Sequence, residues 1–211
     1  MLVVLVVAVL VLVLRACAGS SPAKSTSAGS PTPSPTASPA PSSAASASPS
    51  VTVATGTVTC DTLTGQVTFS PRAIHGGTSP ETEVFTLHGS GCHTTGSNVS
   101  EVRGGTLTIT LHRANNSCGT VRESVPTAGT IVWSPPSIAP SQVSSPGYTV
   151  GVGPGGGDGF VEGGGAVVTG SFAGAHPQLS VYLNETADAF LAACRSSGVS
   201  SVAVANGSGT I

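Results

Sequence analysis

The chain has 211 residues, only 8% of them charged, a formal net charge of −2, and Lys24 as its single lysine. Average soluble proteins carry roughly 25% charged residues, so Ser, Thr, Gly and Asn must supply most of the polar surface. No basic stripe is available to neutralise a run of phosphates, which argues against a nucleic-acid partner, and no polybasic patch is available to hold a folded domain on anionic lipid.

The first element is an unbroken run of Leu, Val and Ala from Leu2 to Leu14, followed by Arg15 and then by small residues. A spanning helix needs about 20 apolar residues, so residues 1–18 read as a signal peptide or membrane anchor. Two processing patterns overlap at its end. Leu14-Arg15-Ala16-Cys17 resembles a bacterial lipobox, which would place a lipid on Cys17, although Arg15 fits that pattern poorly. Ala16-Cys17-Ala18 matches the A-x-A site of ordinary signal peptidase, which would release a chain starting at Gly19. Setting Cys17 aside from the five cysteines leaves an even set, Cys60, Cys92, Cys118 and Cys194, as lipidation would leave it.

Residues 19–50 are almost entirely Ser, Pro, Ala and Thr, with no apolar side chain larger than alanine. Such a segment buries too little to offset its ordering entropy and reads as a disordered tether. Its reach lies between roughly 30 Å as a flexible coil and roughly 100 Å as polyproline II, enough to set a domain off from a membrane or within a cell wall.

From Val51 to Ile211 short runs of β-branched and aromatic residues alternate with Gly and Pro, the pattern of an all-β or mainly β domain. The clearest is Thr106-Leu107-Thr108-Ile109-Thr110-Leu111-His112, with Leu107, Ile109 and Leu111 on one face and the threonines on the other. Further strands are expected near Val51–Cys60, Gln66–Ser70, Glu83–His88, Gly129–Trp133, Tyr148–Val152, Ala166–Phe172, Gln178–Leu183 and Val199–Val204. Glu185 to Ser197 breaks the rhythm: Ala189, Phe190, Ala193 and Cys194 fall at helical spacing, Asn184 or Thr186 can cap the start, Arg195 sits in the last turn and Gly198 can end it. The expected fold is an antiparallel β-sandwich or barrel-like domain with one short C-terminal helix. Four cysteines allow three pairings. Cys60–Cys92 would close two neighbouring strand ends and Cys118–Cys194 would pin the helix to the sheet.

The segments Leu63-Thr64-Gly65-Gln66-Val67-Thr68-Phe69-Ser70-Pro71, Gly91-Cys92, Ser117-Cys118, Thr130-Ile131-Val132-Trp133, Gly170-Ser171-Phe172-Ala173-Gly174 and Gly207-Ser208-Gly209-Thr210-Ile211, with the Ala-rich helix, cover nearly the whole domain. Together they resemble a group of secreted proteins and lipoproteins common in actinomycetes. These are cysteines, turn glycines and core aromatics, so the resemblance implies export and a shared scaffold and brings no active site with it.

Chemistry is thinly signposted. His88 and His93 flank Cys92, a set that would suit zinc or copper if the thiol were free, but a bridged cysteine removes it. His112, His75 and His176 read as surface residues. Glu81 and Glu83 would share a strand face, and two acids across a cleft are what glycoside hydrolysis requires. The Gly-rich stretch Gly151–Gly165 reads as a hairpin loop, within which Asp158 and Glu162 would form a ligand loop; two carboxylates fall short of the six to eight oxygens calcium takes. No Gly-x-Ser-x-Gly elbow is present, and no catalytic residue, metal or cofactor is assigned. The expected function is an exported, non-enzymatic structural or binding module of the cell envelope, attached to the membrane through its N-terminal lipid or apolar segment and facing a cell-wall or surface partner. The alternatives are a secreted hydrolase or carbohydrate-active protein, and a carrier of an apolar ligand, which would need an apolar cavity.

Overall fold

The computed structural model describes residues 50–152, 157–162 and 164–211, with only the backbone of Val152, Gly157 and Glu162. The signal, Cys17 and all of the tether but Ser50 lie outside these residues. The strands are β1 (Thr57–Ala73), β2 (Glu81–Thr95), β3 (Gly104–Arg113), β4 (Thr127–Ser134), β5 (Ser141–Ser145), β6 (Tyr148–Val152), β7 (Gly157–Glu162), β8 (Val167–Gly170), β9 (Gln178–Thr186) and β10 (Val199–Thr210), with the helix α1 (Ala187–Ser196) between the last two. They form one sheet in the order β6-β7-β9-β10-β1-β2-β3-β4-β5-β8, and each neighbouring pair is antiparallel.

Chain connectivity forces this sheet to curl. β5 and β6 stand near opposite ends of the strand order, yet only Pro146 and Gly147 separate them in sequence. Two linking residues span at most about 10 Å, so the ends must come round to meet, and the sheet becomes barrel-like with a seam beside β6. Alternation then sends every second side chain inward. One inward row crosses the sheet through Val168, Val143, Gly129, Ile109, Phe85, Val67 and Val202. Ile131, Leu107, Leu87, Gly65, Val204 and Leu183 belong to the next. The threonines of β3 face outward, as its alternation requires.

Two strand boundaries differ from the sequence pattern. Of the strand expected at Val51–Cys60 only Thr57–Cys60 is strand, and it is continuous with the one expected at Gln66–Ser70, because Thr62–Gly65 stays paired to β2 and Gly65 also to β10. A central strand held on both sides runs through a glycine that alone would read as a break. β5, with Val143 its one large apolar residue, and the Gly-rich β7 were not signalled by composition; pairing to β4 and β9 holds them extended.

Helix α1 begins at Thr186, whose hydroxyl accepts the Ala189 N–H at 3.2 Å, and carries Asp188 in its first turn and Arg195 in its last. Gly198, at φ 76°, turns the chain out of it. Its buried face is Phe190 and Cys194, one turn apart. Phe190 meets the ring of Phe69 at 6.1 Å, and Cys194 is bonded to Cys118. The other disulfide, Cys60–Cys92, joins residues directly opposite on β1 and β2. Both pairs are those drawn from strand and helix placement, and such bonds persist in an oxidising environment.

Candidate functional site

The curled sheet holds an apolar cavity of about 100 Å³ that is partly open. Phe85 and Leu87 of β2, Leu107 of β3, Ile131 of β4, Phe160 of β7 and Val181 of β9 line it, together with Tyr148 at the start of β6. Phe160 is the hinge of this wall: its ring meets Phe85 at 5.5 Å and Tyr148 at 5.5 Å, both edge to face. The side chains named here sit on inward positions of their strands, so the cavity follows from sheet alternation plus a curl that they do not fill.

Larger groups close one end of the interior. Glycines at inward positions make room for them: a Cβ on Gly105 would stand 3.0 Å from the Trp133 ring, and one on Gly89 3.1 Å from Cys60 Sγ. Trp133 Nε1 donates to Ser141 Oγ at 2.9 Å, and that hydroxyl donates to the Ser171 carbonyl at 2.6 Å. Residues 50–56 cross this end as a strap. The Ala54 N–H donates to Ser171 Oγ at 3.0 Å, and the Phe172 N–H donates to the Ala54 carbonyl at 2.7 Å. Phe172 is fully buried against Trp133 and has φ 60°, a conformation costly for a bulky side chain and held by these surroundings.

The other end holds buried charge. Glu81 and Glu83 lie on the inward face of β2, opposite Arg113 and Leu111 of β3. Arg113 grips Glu83 with both edges of its fork: Nε donates to Oε1, and Nη2 donates to Oε2 at 3.2 Å. Its remaining bonds run to the carbonyls of Glu123 (2.9 Å) and Val121 (3.0 Å) and to the Tyr148 hydroxyl (2.5 Å), which itself donates to the Glu123 carbonyl at 2.8 Å. Burial raises the Glu83 carboxyl above its usual range, against the lowering effect of the Arg113 bonds. Burial also raises Tyr148, with Arg113 opposing. For Arg113 itself burial works against the charge, but Glu83 and Tyr148 prevail and its pKa is raised. Glu81 has no hydrogen-bond partner at either carboxylate oxygen. Burial first, and the neighbouring Glu83 second, push it up to about 7, with Arg113 pulling the other way.

The acids singled out in the sequence are therefore placed differently from expectation. Glu81 and Glu83 do share a face, but it is the core face, 2% and 0% exposed, where a glycoside cannot reach them. Asp158 lies on strand β7 and not in a loop, is buried, and has Oδ1 3.0 Å from Arg122 Nη2. The alignment is too poor for a hydrogen bond, so the contact is an ion pair only, and burial raises the Asp158 pKa while Arg122 lowers it. Glu162 is the last residue of β7, and its side chain lies outside the description, as do residues 153–156. His88 and His93 are exposed, His88 bonding Thr106 Oγ1 at 3.1 Å, and Cys92 is in its disulfide. His112 bonds Thr82 at 3.3 Å on the outer face. Among the described residues no group of three or more His, Cys, Asp or Glu is placed to hold a metal ion, and no helix is long and apolar enough to cross a membrane.

Arg113 and Tyr148 were not picked out by motif. The signal for Arg113 was nonetheless present: continuing the alternation Leu107, Ile109, Leu111 by one step puts an arginine on the core face, in register with Glu81. Comparison with family models, curated proteins and solved structures finds no match to this chain.

Proposed function

We propose that this chain is an exported, disulfide-stapled module of the bacterial cell envelope, without catalytic machinery, that takes a small apolar group into the interior of its curled sheet. The observation that carries the reading is the apolar cavity of about 100 Å³. An engineered apolar cavity of about 150 Å³ stays dry and takes up benzene or xenon, whereas pockets for drug-sized molecules run to roughly 300–1,000 Å³. The volume therefore fits an aromatic ring or the end of a hydrocarbon chain, and is too small to enclose a whole lipid. Two disulfides support an oxidising compartment. The apolar run and the Ser/Pro-rich tether support export, with either a lipid on Cys17 or a free start at Gly19.

The test is binding of benzene to the full chain, followed by NMR shifts of the Phe85, Leu87 and Val181 side chains. Saturable shifts confined to cavity residues support the reading. Shifts absent up to the solubility of benzene, or scattered over the outer face, would remove it. Mass spectrometry of the protein recovered from its native envelope decides the anchor: a diacylglyceryl adduct on Cys17 means a tethered lipoprotein, and a chain starting at Gly19 means a secreted one.

A further inference from the structure

We propose that Glu81 is a proton-binding site that controls the cavity: the folded domain holds one proton on the Glu81 carboxyl, and its release to solvent draws Arg113 away from Tyr148 and loosens the cavity wall. The control of binding rests on the apolar-ligand reading above; the proton site does not.

A guanidinium has five N–H groups and no acceptor. Nε of Arg113 is committed to Glu83, one of the two Nη1 hydrogens goes to Glu123, and the two hydrogens of Nη2 are shared among Glu83, Val121 and Tyr148; none of the five reaches Glu81. Glu81, directly opposite Arg113 across the β2–β3 ladder, receives nothing and is 2% exposed. The charged groups acting on it are Glu83 on its own strand and Arg113 on β3. Arg122, in the turn Thr120–Arg122, is paired with Asp158 of β7, and from β1 the residue beside Glu83 is Phe69, while Arg72 is exposed and donates to the Ser197 carbonyl. Two buried carboxylates thus share one guanidinium. Ionising both leaves an unbalanced negative charge in the interior, so the neutral acid is the form this site accommodates.

Ionised, Glu81 competes for its cross-strand partner. The Glu83 tie is charge-assisted on both sides and the strongest of the set; Tyr148 shares the two Nη2 hydrogens with Glu83 and Val121 and is also held by the Glu123 carbonyl, so its bond is the one that a shift of Arg113 toward Glu81 gives up. Tyr148 lines the cavity and packs edge-on against Phe160, so a change at Arg113 reaches the apolar wall through one side chain.

The experiment uses the full chain, wild type and Glu81→Gln, the amide standing for the protonated acid. Carbon-13 NMR of labelled glutamate carboxyls, titrated from about pH 4 to about pH 9, is expected to show one carboxyl titrating near neutrality that is missing from the variant. If every glutamate titrates in the ordinary range, the proton site is overturned; the wild-type titration alone decides this should the variant not fold. Benzene affinity is expected to fall at least about fivefold between about pH 5 and about pH 9 in the wild type and to stay level in Glu81→Gln. Equal affinity at both pH values in the wild type overturns the coupling. Absence of binding at every pH overturns the apolar-ligand reading and the control with it, and the carboxyl titration still judges the proton site.

Discussion

Replacing Arg113 by Met keeps the length of the side chain and removes its charge, and the consequence can be worked out from what Arg113 touches. Glu83 loses both of its donors while remaining fully buried, the carbonyls of Val121 and Glu123 each lose one, and the Tyr148 hydroxyl loses its donor. Removing one partner of a buried pair costs about 3–5 kcal/mol, because the charge left behind is uncompensated. In a domain of this size each kcal/mol lowers Tm by about 2–4 °C, so the variant should melt about 6–20 °C below the wild type at about pH 8. The sign of its pH dependence follows as well. Burial already raises the Glu83 carboxyl, and without Arg113 to oppose it Glu83 takes up a proton more readily, so the penalty should shrink at about pH 5, where the acid is neutral. Adding Glu83→Gln to Arg113→Met should recover about 1–3 kcal/mol by removing the stranded charge. Urea denaturation of the three chains at both pH values is the assay. A loss below about 1 kcal/mol at pH 8, or a larger loss at pH 5 than at pH 8, refutes the claim that this pair is a sealed interior charge pair.

The raised pKa of Glu81 makes the wild type an acid-favoured fold. With a folded value of about 7 against an ordinary 4.5, the contribution is complete below about pH 4.5 and is lost as pH rises through about 7; Glu81→Gln should flatten that decline in a series of melts across pH. Leu87, fully buried against the cavity, should cost about 2–5 kcal/mol when cut to Ala and leave a larger space, so benzene affinity measured by NMR should rise even as Tm falls. The Cys118–Cys194 bond closes 76 residues and Cys60–Cys92 closes 32. Loop entropy then gives about 4.5 and about 3.7 kcal/mol for the paired serine replacements, and denaturation should rank them in that order.

The fold was legible where side chains alternate over several residues and obscure where the partner strand does the work. Leu107, Ile109 and Leu111 declare their strand and its inner face, and the helix is readable from Phe190, Cys194 and the Thr186 cap. β5 and β7 have no such pattern: Ser141–Ser145 and Gly157–Glu162 are strands because β4 and β9 supply the hydrogen bonds, and a sequence window contains no information about a strand made elsewhere. The ionic end fared likewise. Glu81 and Glu83 were visibly in phase, but in-phase acids read as a surface pair until Phe85 and Leu87, the next residues of that same phase, fix the face as the core. The cavity had no local signal, since it arises from the curl that the β5–β6 connection imposes on residues far apart in the chain.

The place of β10 bears on how this protein is made. It lies between β9 and β1 in the sheet, and Ile211, just past its end, exchanges backbone bonds with Val58, at the start of β1. Until Val199 to Ile211 have left the ribosome, β1 to β5 with β8 and the trio β6, β7, β9 are two fragments with no edge in common. The first and last strands of the domain must meet before the barrel exists, a long-range closure of the kind that folds slowly.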